Sequence, residues 1–255
     1  SFFASKRANA IAGFITGVLS LTPYQHWRWE HARHHATSGD LDRRGMGDVW
    51  TMTVQEFLEA TPWTRFCYRV ARNPVALLVG GSLFLVLINN RYTTVGAGKV
   101  ERLSIYGTNL CILLLAAGMS WIFGWQTYLW IHFAIILGSG VAGVWLFYVQ
   151  HQFEDAYWDR GYYWSFVSAA LEGSSYFRLP KVLQWFSANI GFHHIHHLSS
   201  RIPNNNLEAC HNSDPLFHQV NALTLRDSVR CFNHHLWDEE AGKLISFRQL
   251  SQRAG

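Results

Sequence analysis

The stretch Phe192-His193-His194-Ile195-His196-His197 determines how the rest of this chain has to fold. Three of its histidines have the spacing H-x-x-H-H, and His31, His34 and His35 repeat that spacing near the start of the chain. Residues three and four apart share one face of a helix, so each triplet directs its imidazoles toward one point. Imidazole is a ligand for zinc, copper, iron and nickel. We therefore interpret the two triplets as halves of one metal site that the fold must bring together.

The composition indicates a membrane protein with a polar cap. The chain has 255 residues and a formal net charge of +4, and no linker rich in Pro, Gly or Ser divides it, so we expect a single domain over 1–255. Its mean hydropathy of +0.00 averages very different regions, because residues 105–150 contain no Asp, Glu, Lys or Arg. The positive charge is too diffuse for a nucleic-acid surface. The four cysteines are too scattered for a disulfide framework.

Two apolar runs fix the expected topology. Residues 105–124 and 126–150 are each long enough to cross the roughly 30 Å of hydrocarbon in a bilayer. Two spans return the chain to its starting side, so a transmembrane hairpin of these runs allows the triplets to meet. The apolar residues 74–90 are then an interfacial or re-entrant segment. Lys and Arg flank the histidine side, which the positive-inside rule assigns to the cytoplasm. We predict an all-α integral membrane protein with a transmembrane hairpin and a cytoplasmic histidine-rich cap.

Shorter segments between these landmarks have local signatures of their own. Residues 25–35 are expected to form a helix that carries the first triplet, and residues 37–50 read as a loop by their Gly and Asp content. Residues 54–72 alternate apolar and charged positions and predict a pair of amphipathic surface helices broken near Pro62. From residue 199 onward the chain is polar, and we expect a soluble cap there.

His151 ends the second apolar run on the side assigned to the triplets. Together with the triplets it makes seven imidazoles, which is too many for one tetrahedral zinc ion and favours two metals that share ligands. His132 lies on the same predicted helix at roughly 28 Å from His151, so it cannot share the site. The histidines that we interpret as surface groups are His26, His218, His234 and His235.

Three segments resemble the membrane fatty acid desaturase family, most closely its acyl-lipid omega-6 (delta-12) members. They are Trp27–Asp40, Gln150–Asp155 and Phe192–Pro203. The resemblance implies a non-haem di-iron centre with two iron ions, with O₂ as co-substrate, that introduces a cis double bond into the acyl chain of a membrane lipid. Carried over by motif, the metal ligands are His31, His34, His35, His151, His193, His196 and His197. Beyond these ligands, no catalytic or cofactor-binding residue is assigned.

The first histidine box of the family, H-D-x-x-H, is commonly followed by Gly-Ser-Phe-Phe, whereas this sequence opens at Ser1-Phe2-Phe3. We therefore expect the sequence to begin just after that box. As it stands, it would lack two family ligands, would not hold a complete di-iron site and would be inactive.

All-imidazole ligation leaves the metals strongly charged, which calls for nearby carboxylates to orient the ligands. Asp40, Glu154 and Asp155 are candidates, although each is also explained as a solvated charge. The sequence has no His-Pro-Gly-Gly signature of a fused cytochrome b5 domain. The electron donor is therefore expected to be a separate protein of the ferredoxin or cytochrome b5 type.

Other functions remain open at this stage. Related histidine-box enzymes hydroxylate lipids with the same metals, so a fatty acid hydroxylase or other lipid oxygenase is the nearest alternative. A metal- or haem-binding membrane module without turnover is a second, and a soluble zinc protein a third that the charge-free residues 105–150 argue against. Gly138-Ser139-Gly140-Val141-Ala142-Gly143 matches the dinucleotide motif G-x-G-x-x-G, but it lies in an apolar span, where small residues favour close helix packing.

Overall fold

The computed structural model describes residues 3–45 and 47–253, which form thirteen α-helices and five short strands. The helices are α1 (Lys6–Leu19), α2 (Tyr24–Thr37), α3 (Val54–Glu59), α4 (Pro62–Ala71), α5 (Ser82–Leu87), α6 (Lys99–Phe123), α7 (Trp125–His151), α8 (Phe166–Leu171), α9 (Lys181–Phe186), α10 (His193–Leu198), α11 (Leu207–His211), α12 (Leu225–Cys231) and α13 (Phe247–Arg253). The strands are β1 (Met52–Thr53), β2 (Tyr176–Phe177), β3 (Ala222–Leu223), β4 (Leu236–Asp238) and β5 (Lys243–Ile245). This confirms a mainly helical protein, to which the strands add two small sheets that the sequence analysis missed.

The chain divides into two compact units, and two of the boundaries between them fall inside the helices α2 and α7. The histidine unit comprises Arg33–Pro74 and the chain from Leu146 onward, and the apolar unit comprises Phe3–Ala32 and Val75–Trp145. Helix α2 therefore begins in the apolar unit and ends in the histidine unit, and so does α7. The single domain expected over 1–255 stays a prediction.

Two helices of the described chain are long and apolar enough to cross a membrane: α6 has 25 residues and α7 has 27. Only Gly124 separates them, with a φ of 82° in the left-handed region that glycine adopts without strain. In the most apolar windows of the two helices, only 11% and 6% of the residues are buried. Such exposure of apolar side chains suits a lipid environment, where helices satisfy their own backbone hydrogen bonds. The helices contain nearly all of the predicted spans, although α6 begins at Lys99 rather than at 105.

The segment predicted to be interfacial or re-entrant is helical in the structure. It contains a π-helical stretch, Ala76–Gly81, followed by α5 and a 3₁₀ turn at Asn89–Arg91. Together with Pro62–Ala71 it passes the length and hydropathy test for one more span, which makes at most three in the described chain. Its interfacial role stays a prediction.

The glycine-rich motif lies in the middle of α7, as expected for a helix-packing site. A Cβ atom built on Gly140 would lie 3.0 Å from the Cβ atom of Ser82 on α5. That distance is tighter than an ordinary van der Waals contact, so glycine at this position permits the close approach of the two helices.

The core of the histidine unit forms around a three-stranded sheet in the order β1-β4-β5, with β1 parallel to β4 and β4 antiparallel to β5. Phe57 and Tyr68, from α3 and α4, pack on Leu236 and Ile245 of this sheet. The predicted break near Pro62 is confirmed, because α3 ends at Glu59 and Pro62 is the first residue of α4.

A second small core supports α10, the helix that carries the second histidine triplet. Phe192, Ile195 and Leu207 are buried together there. The chain just before α10 is tied to β2, because the Phe177 amide donates to the Gly191 carbonyl at 2.8 Å. These contacts hold a helix of only six residues, which would not be stable alone.

Candidate metal centre

Helix α2 delivers His34 to the interior of the histidine unit, where its side chain is 2% exposed. The Nδ1–H group of His34 donates to Oδ1 of Asp48 at 2.6 Å, since a carboxylate can only accept. Asp48 is held in turn by the Gly45 amide, which donates to Oδ2 at 3.0 Å. In neutral His34 the proton is therefore on Nδ1, and the lone pair is on Nε2.

His151, the last residue of α7, meets His34 from the opposite side of the cluster. Its Nδ1 atom faces the carbonyl oxygen of Gly173 at 3.4 Å, so that with the proton on Nδ1 it donates a long hydrogen bond there and directs the Nε2 lone pair to the cluster. Its Nε2 atom lies 3.3 Å from Nε2 of His34 and 2.9 Å from Nε2 of His193. Two imidazole lone pairs at 3.3 Å repel each other unless a cation lies between them.

These separations fit the ligands of one metal ion. At a metal–nitrogen distance of about 2.0–2.1 Å, two ligands at tetrahedral or octahedral angles have their nitrogens about 2.9–3.4 Å apart. His34, His151 and His197 form a fully buried group in which each residue offers one ring nitrogen, and these three atoms lie within 4.8 Å of one another. Nε2 of His197 is buried without a hydrogen-bond partner among the described residues. The residues present therefore fit a metal ion, which would take up these lone pairs.

Helix α10 supplies the second triplet on one face, as the H-x-x-H-H spacing predicts. The ring of His197 lies 4.7 Å from that of His151 and stacks on that of His35 at 4.1 Å. The ring of His196 lies 4.6 Å from His35. His193, 3% exposed, completes the set. The structure thus brings together, within the histidine unit, His34, His35, His151, His193, His196 and His197.

Burial disfavours the protonated form of three of these imidazoles, His193, His196 and His197. It lowers the pKa of His193 and His197 well below the ordinary value, and the neighbouring histidines add to the effect. Burial likewise lowers the pKa of His196 to about 4. Neutral imidazole is the form that binds a metal ion, because coordination needs the lone pair that a proton would occupy.

His31 belongs to the part of α2 that lies in the apolar unit. Its ring stacks on that of Trp27 at 4.7 Å with an interplanar angle of 14°, and its side chain is half-buried. It precedes His35 by one helical turn, which is the spacing that the sequence analysis used to assign it to the cluster. Its role as a ligand stays a prediction.

The carboxylate that touches the cluster is Asp48, which the sequence analysis did not select. Asp40, the buried candidate, accepts from Nε of Arg43 at 2.5 Å and from the Asp42 amide at 2.9 Å. Glu154 is exposed and pairs with Lys243 at 3.1 Å. Asp155 is also exposed. Asp48 lies in the loop after α2, 14 residues beyond His34. Neither helical nor strand spacing relates the two residues, so the sequence pattern did not predict their contact.

The histidines outside the cluster differ from one another in burial. His26 is 1% exposed, with Nδ1 at 3.6 Å from Glu30, so its interpretation as a surface group was wrong. His194 is buried, and its Nε2 lies 3.0 Å from Nδ1 of His211. His218 is exposed, as predicted, whereas His234 and His235 are half-buried.

Comparison with known proteins agrees with this arrangement. A sequence model described as fatty acid desaturase matches residues 1–223. The chain is 48% identical over 250 residues to a fatty acid desaturase of Bacillus subtilis, an alignment that covers 98% of this chain and 71% of the relative. It is 24% identical to an sn-1 oleoyl-lipid 12-desaturase of Synechocystis sp., covering 94% of this chain and 70% of the relative.

A third relative is an sn-1 acyl-lipid omega-3 desaturase (ferredoxin) of Nostoc sp., at 25% identity, with 81% of this chain and 58% of the relative covered. The match to the family model extends over most of the chain and includes all seven histidines of the sequence prediction. The two apolar helices and the buried histidine cluster are consistent with a membrane protein that binds a metal ion. The chain therefore belongs to the membrane fatty acid desaturase family.

Proposed function

We propose that this protein is an O₂-dependent desaturase that introduces a cis double bond into an acyl chain of a membrane lipid, with a non-haem di-iron centre. The ligands are His31, His34, His35, His151, His193, His196 and His197. The membership of the family supports the reaction class. The names of the Synechocystis and Nostoc relatives, both acyl-lipid enzymes, support the lipid substrate.

The observation that carries the proposal is the approach of Nε2 of His151 to Nε2 of His34 and of His193, at 3.3 and 2.9 Å. The Nδ1 protons of His34 and His151 are engaged by Asp48 and by the Gly173 carbonyl. Both rings are therefore held with Nε2 toward the centre of the cluster, as metal ligands are held by their outer partners.

The overall reaction consumes one O₂, two electrons and two protons, removes two hydrogen atoms from neighbouring methylenes and releases two waters. Bound iron would supply the oxidant, which is needed because an unactivated methylene has no acidity for a protein base to use. The protein's own part is to hold neutral imidazoles in place and to exclude water from them, since His34, His193 and His197 are each at most 3% exposed. Phe147 lies against His34 and His151, with ring centroids 5.3 and 5.0 Å away, and gives this side of the cluster an apolar wall.

The test is expression of the full-length gene product in a bacterial host whose lipids contain saturated and monounsaturated acyl chains. Gas chromatography of the fatty acid methyl esters should reveal a new double bond, which a variant with His151→Ala does not produce. A hydroxylated product would favour the oxygenase alternative. An unchanged profile, from protein that contains iron and is supplied with reductant, would contradict the proposal.

We further propose a separate electron donor of the ferredoxin or cytochrome b5 type. The name of the Nostoc relative supports ferredoxin. Purified protein in lipid should form product with chemically reduced ferredoxin and O₂, and it should stay inactive with NADPH alone. Turnover with NADPH and no carrier protein would overturn this assignment.

We propose that the protein is a multi-pass membrane protein with its histidine cluster on the cytoplasmic side. The excess of Lys and Arg outside residues 105–150 supports this orientation. With the four native cysteines replaced by serine, single cysteines introduced at Gly124, between α6 and α7, and at Ser213, after α11, should differ in their labelling by a membrane-impermeant maleimide in whole cells: residue 124 should be labelled and residue 213 protected. Labelling at residue 213 with protection at residue 124 would reverse the orientation.

A further inference from the structure

Arg72 is a buried cation in the histidine unit. It caps the C-terminal end of α4, and only 1% of its surface is exposed. The ion pairs among the described residues do not include it. A buried guanidinium without a counter-charge is costly to desolvate, so it persists only where fixed dipoles replace water.

Three oxygens and two aromatic rings surround the guanidinium in place of water. Nη2 of Arg72 donates to Oε1 of Gln152 at 2.6 Å and to the His234 carbonyl at 2.7 Å. Nη1 donates to the Trp50 carbonyl at 3.4 Å. The guanidinium also lies 5.3 Å from the centroid of the Tyr148 ring and 5.9 Å from that of the Tyr68 ring, within the range of a cation–π interaction. One side chain therefore ties together α4, the chain before β1, the end of α7 and the loop before β4.

The contact with Gln152 leads directly to the metal cluster, because Gln152 follows His151 in the chain. Gln152 is 1% exposed, and both ends of its amide are engaged: Oε1 accepts from Arg72, and Nε2 donates to Oγ1 of Thr51 at 3.2 Å. On the other side of His151, the Nε2 group of Gln150 donates to the Ile190 carbonyl at 2.8 Å. His151 is thus placed between two anchored glutamines.

His151 is also the histidine whose position the cluster depends on most. Its Nε2 atom is the one that approaches both His34 and His193, which come from different helices. A rotation of the end of α7 would separate these nitrogens, and the hydrogen bond from His151 to the Gly173 carbonyl is long, at 3.4 Å.

We infer that Arg72 is a positioning residue of the metal centre: through Gln152 it fixes the end of α7, and so sets the place of His151 relative to His34 and His193. This rests on the proposed function, in which His151 binds iron. Arginine suits the task because its planar fork reaches several acceptors at once, whereas a lysine ammonium is a single point.

The test uses the full chain in detergent, with Arg72→Gln as the principal variant and Arg69→Gln as the matched control. Arg69 lies on the same helix and is exposed, with its guanidinium over the Phe57 and Phe247 rings. Cobalt(II) is the probe, because its visible absorption reports ligand geometry, and the thermal melting of the metal-free protein reports folding. We expect Arg72→Gln to weaken cobalt binding by about tenfold and to change the spectrum, and Arg69→Gln to match the wild type.

Two variants of Gln152 separate positioning from a general loss of stability. Gln152→Glu keeps an acceptor for Arg72 and should retain the wild-type spectrum, whereas Gln152→Asn is too short to reach and should reproduce the effect of Arg72→Gln. A purely structural role would lower the melting temperature without changing the spectrum of the protein that remains folded. If Arg72→Gln does not fold, the comparison of Gln152→Glu with Gln152→Asn tests the positioning role.

The outcomes distinguish this inference from the proposed function. Wild-type protein that binds neither cobalt nor iron would contradict the metal site itself. If the wild type, Arg72→Gln and Gln152→Asn all bind metal equally well and with the same spectrum, the positioning role alone is overturned. Weakened binding with a changed spectrum in both variants supports it.

Discussion

Nδ1 of His34 and Oδ1 of Asp48 lie 2.6 Å apart, with both side chains buried. This pair determines which nitrogen of His34 is available, because the Nδ1 proton is committed to the carboxylate. Among the ion pairs of the described residues, it is also the one that joins a carboxylate to the buried group of His34, His151 and His197. A carboxylate–histidine pair of this kind both orients a metal ligand and makes it more basic.

Replacing Asp48 by Asn should weaken iron binding by about tenfold, since the shape is kept while the charge is removed. Iron per chain, measured by atomic absorption after dialysis against a graded series of chelator concentrations, gives the affinity. Asp42→Asn is the control, because Asp42 pairs with Arg160 at the surface. Equal iron affinity in all three proteins would show that the contact of Asp48 with His34 is not needed.

Removal of His197 should abolish part of the metal site. Its Nε2 atom is buried without a hydrogen-bond partner among the described residues, and its ring touches those of His34, His35 and His151. We expect His197→Ala to lose at least one iron per chain and all desaturation, and the exposed His218→Ala to lose neither. Retention of full iron content by His197→Ala would exclude it as a ligand.

Removal of metal should lower stability, because the buried lone pairs then face one another without a cation. Binding to the folded state alone contributes about 2.7 kcal/mol when free iron is at about 100 times its Kd. The apparent melting temperature of the iron-loaded protein should therefore fall on chelation. The melting temperature of His197→Ala should respond little to the same chelator, and an equal fall in both proteins would argue against a specific site.

Tyr68 should matter for folding and little for catalysis. Its ring is fully buried against Phe57, and its hydroxyl donates to the His235 carbonyl and accepts from the Met52 amide. Tyr68→Phe leaves both partners unsatisfied and should cost about 1–3 kcal/mol in the free energy of unfolding by urea. Tyr162→Phe, at a position that is 92% exposed, should be neutral.

Asp238 should make the free energy of unfolding depend on pH in the acidic range. Burial raises its pKa, but hydrogen bonds from Arg253 and the Ala241 amide outweigh this, so its pKa lies below the ordinary value. A carboxyl whose pKa is lowered in the folded state stabilises the protein above its unfolded pKa of about 3.9 and loses that contribution as pH falls through the folded value. The stability difference between wild type and Asp238→Asn should hold at neutral pH and shrink below about pH 4. A difference independent of pH would contradict the role of the charge.

The sequence allowed prediction of those elements that have a regular residue spacing or a distinctive local composition. The histidine spacings predicted which imidazoles share a helix face, and the charge-free residues 105–150 predicted α6 and α7 to within a few residues. The contacts of Asp48 and Arg72 could not be found in this way. Arg72 meets Gln152 across 80 residues of chain, and no local pattern in the sequence encodes such a pairing.

The burial of His26 was missed for the same reason. Its angle on α2 relative to His31 predicted a surface position, whereas its side chain is 1% exposed in the folded structure. A helical wheel describes the neighbours within one helix and says nothing of what packs around that helix. Amphipathic spacing is a weak guide on α2, where aromatic and histidine side chains occur all round the helix.

The histidines of the cluster are made at widely separated times during translation. His34 precedes its neighbour His151 by 117 residues, and His193 follows His151 by a further 42. At about 5–20 residues per second, many seconds pass between the synthesis of the first of these imidazoles and the last. The nascent chain must therefore leave the ribosome as far as α10 before these nitrogens can meet, so the cluster can bind a metal ion only after α6 and α7 have been synthesised.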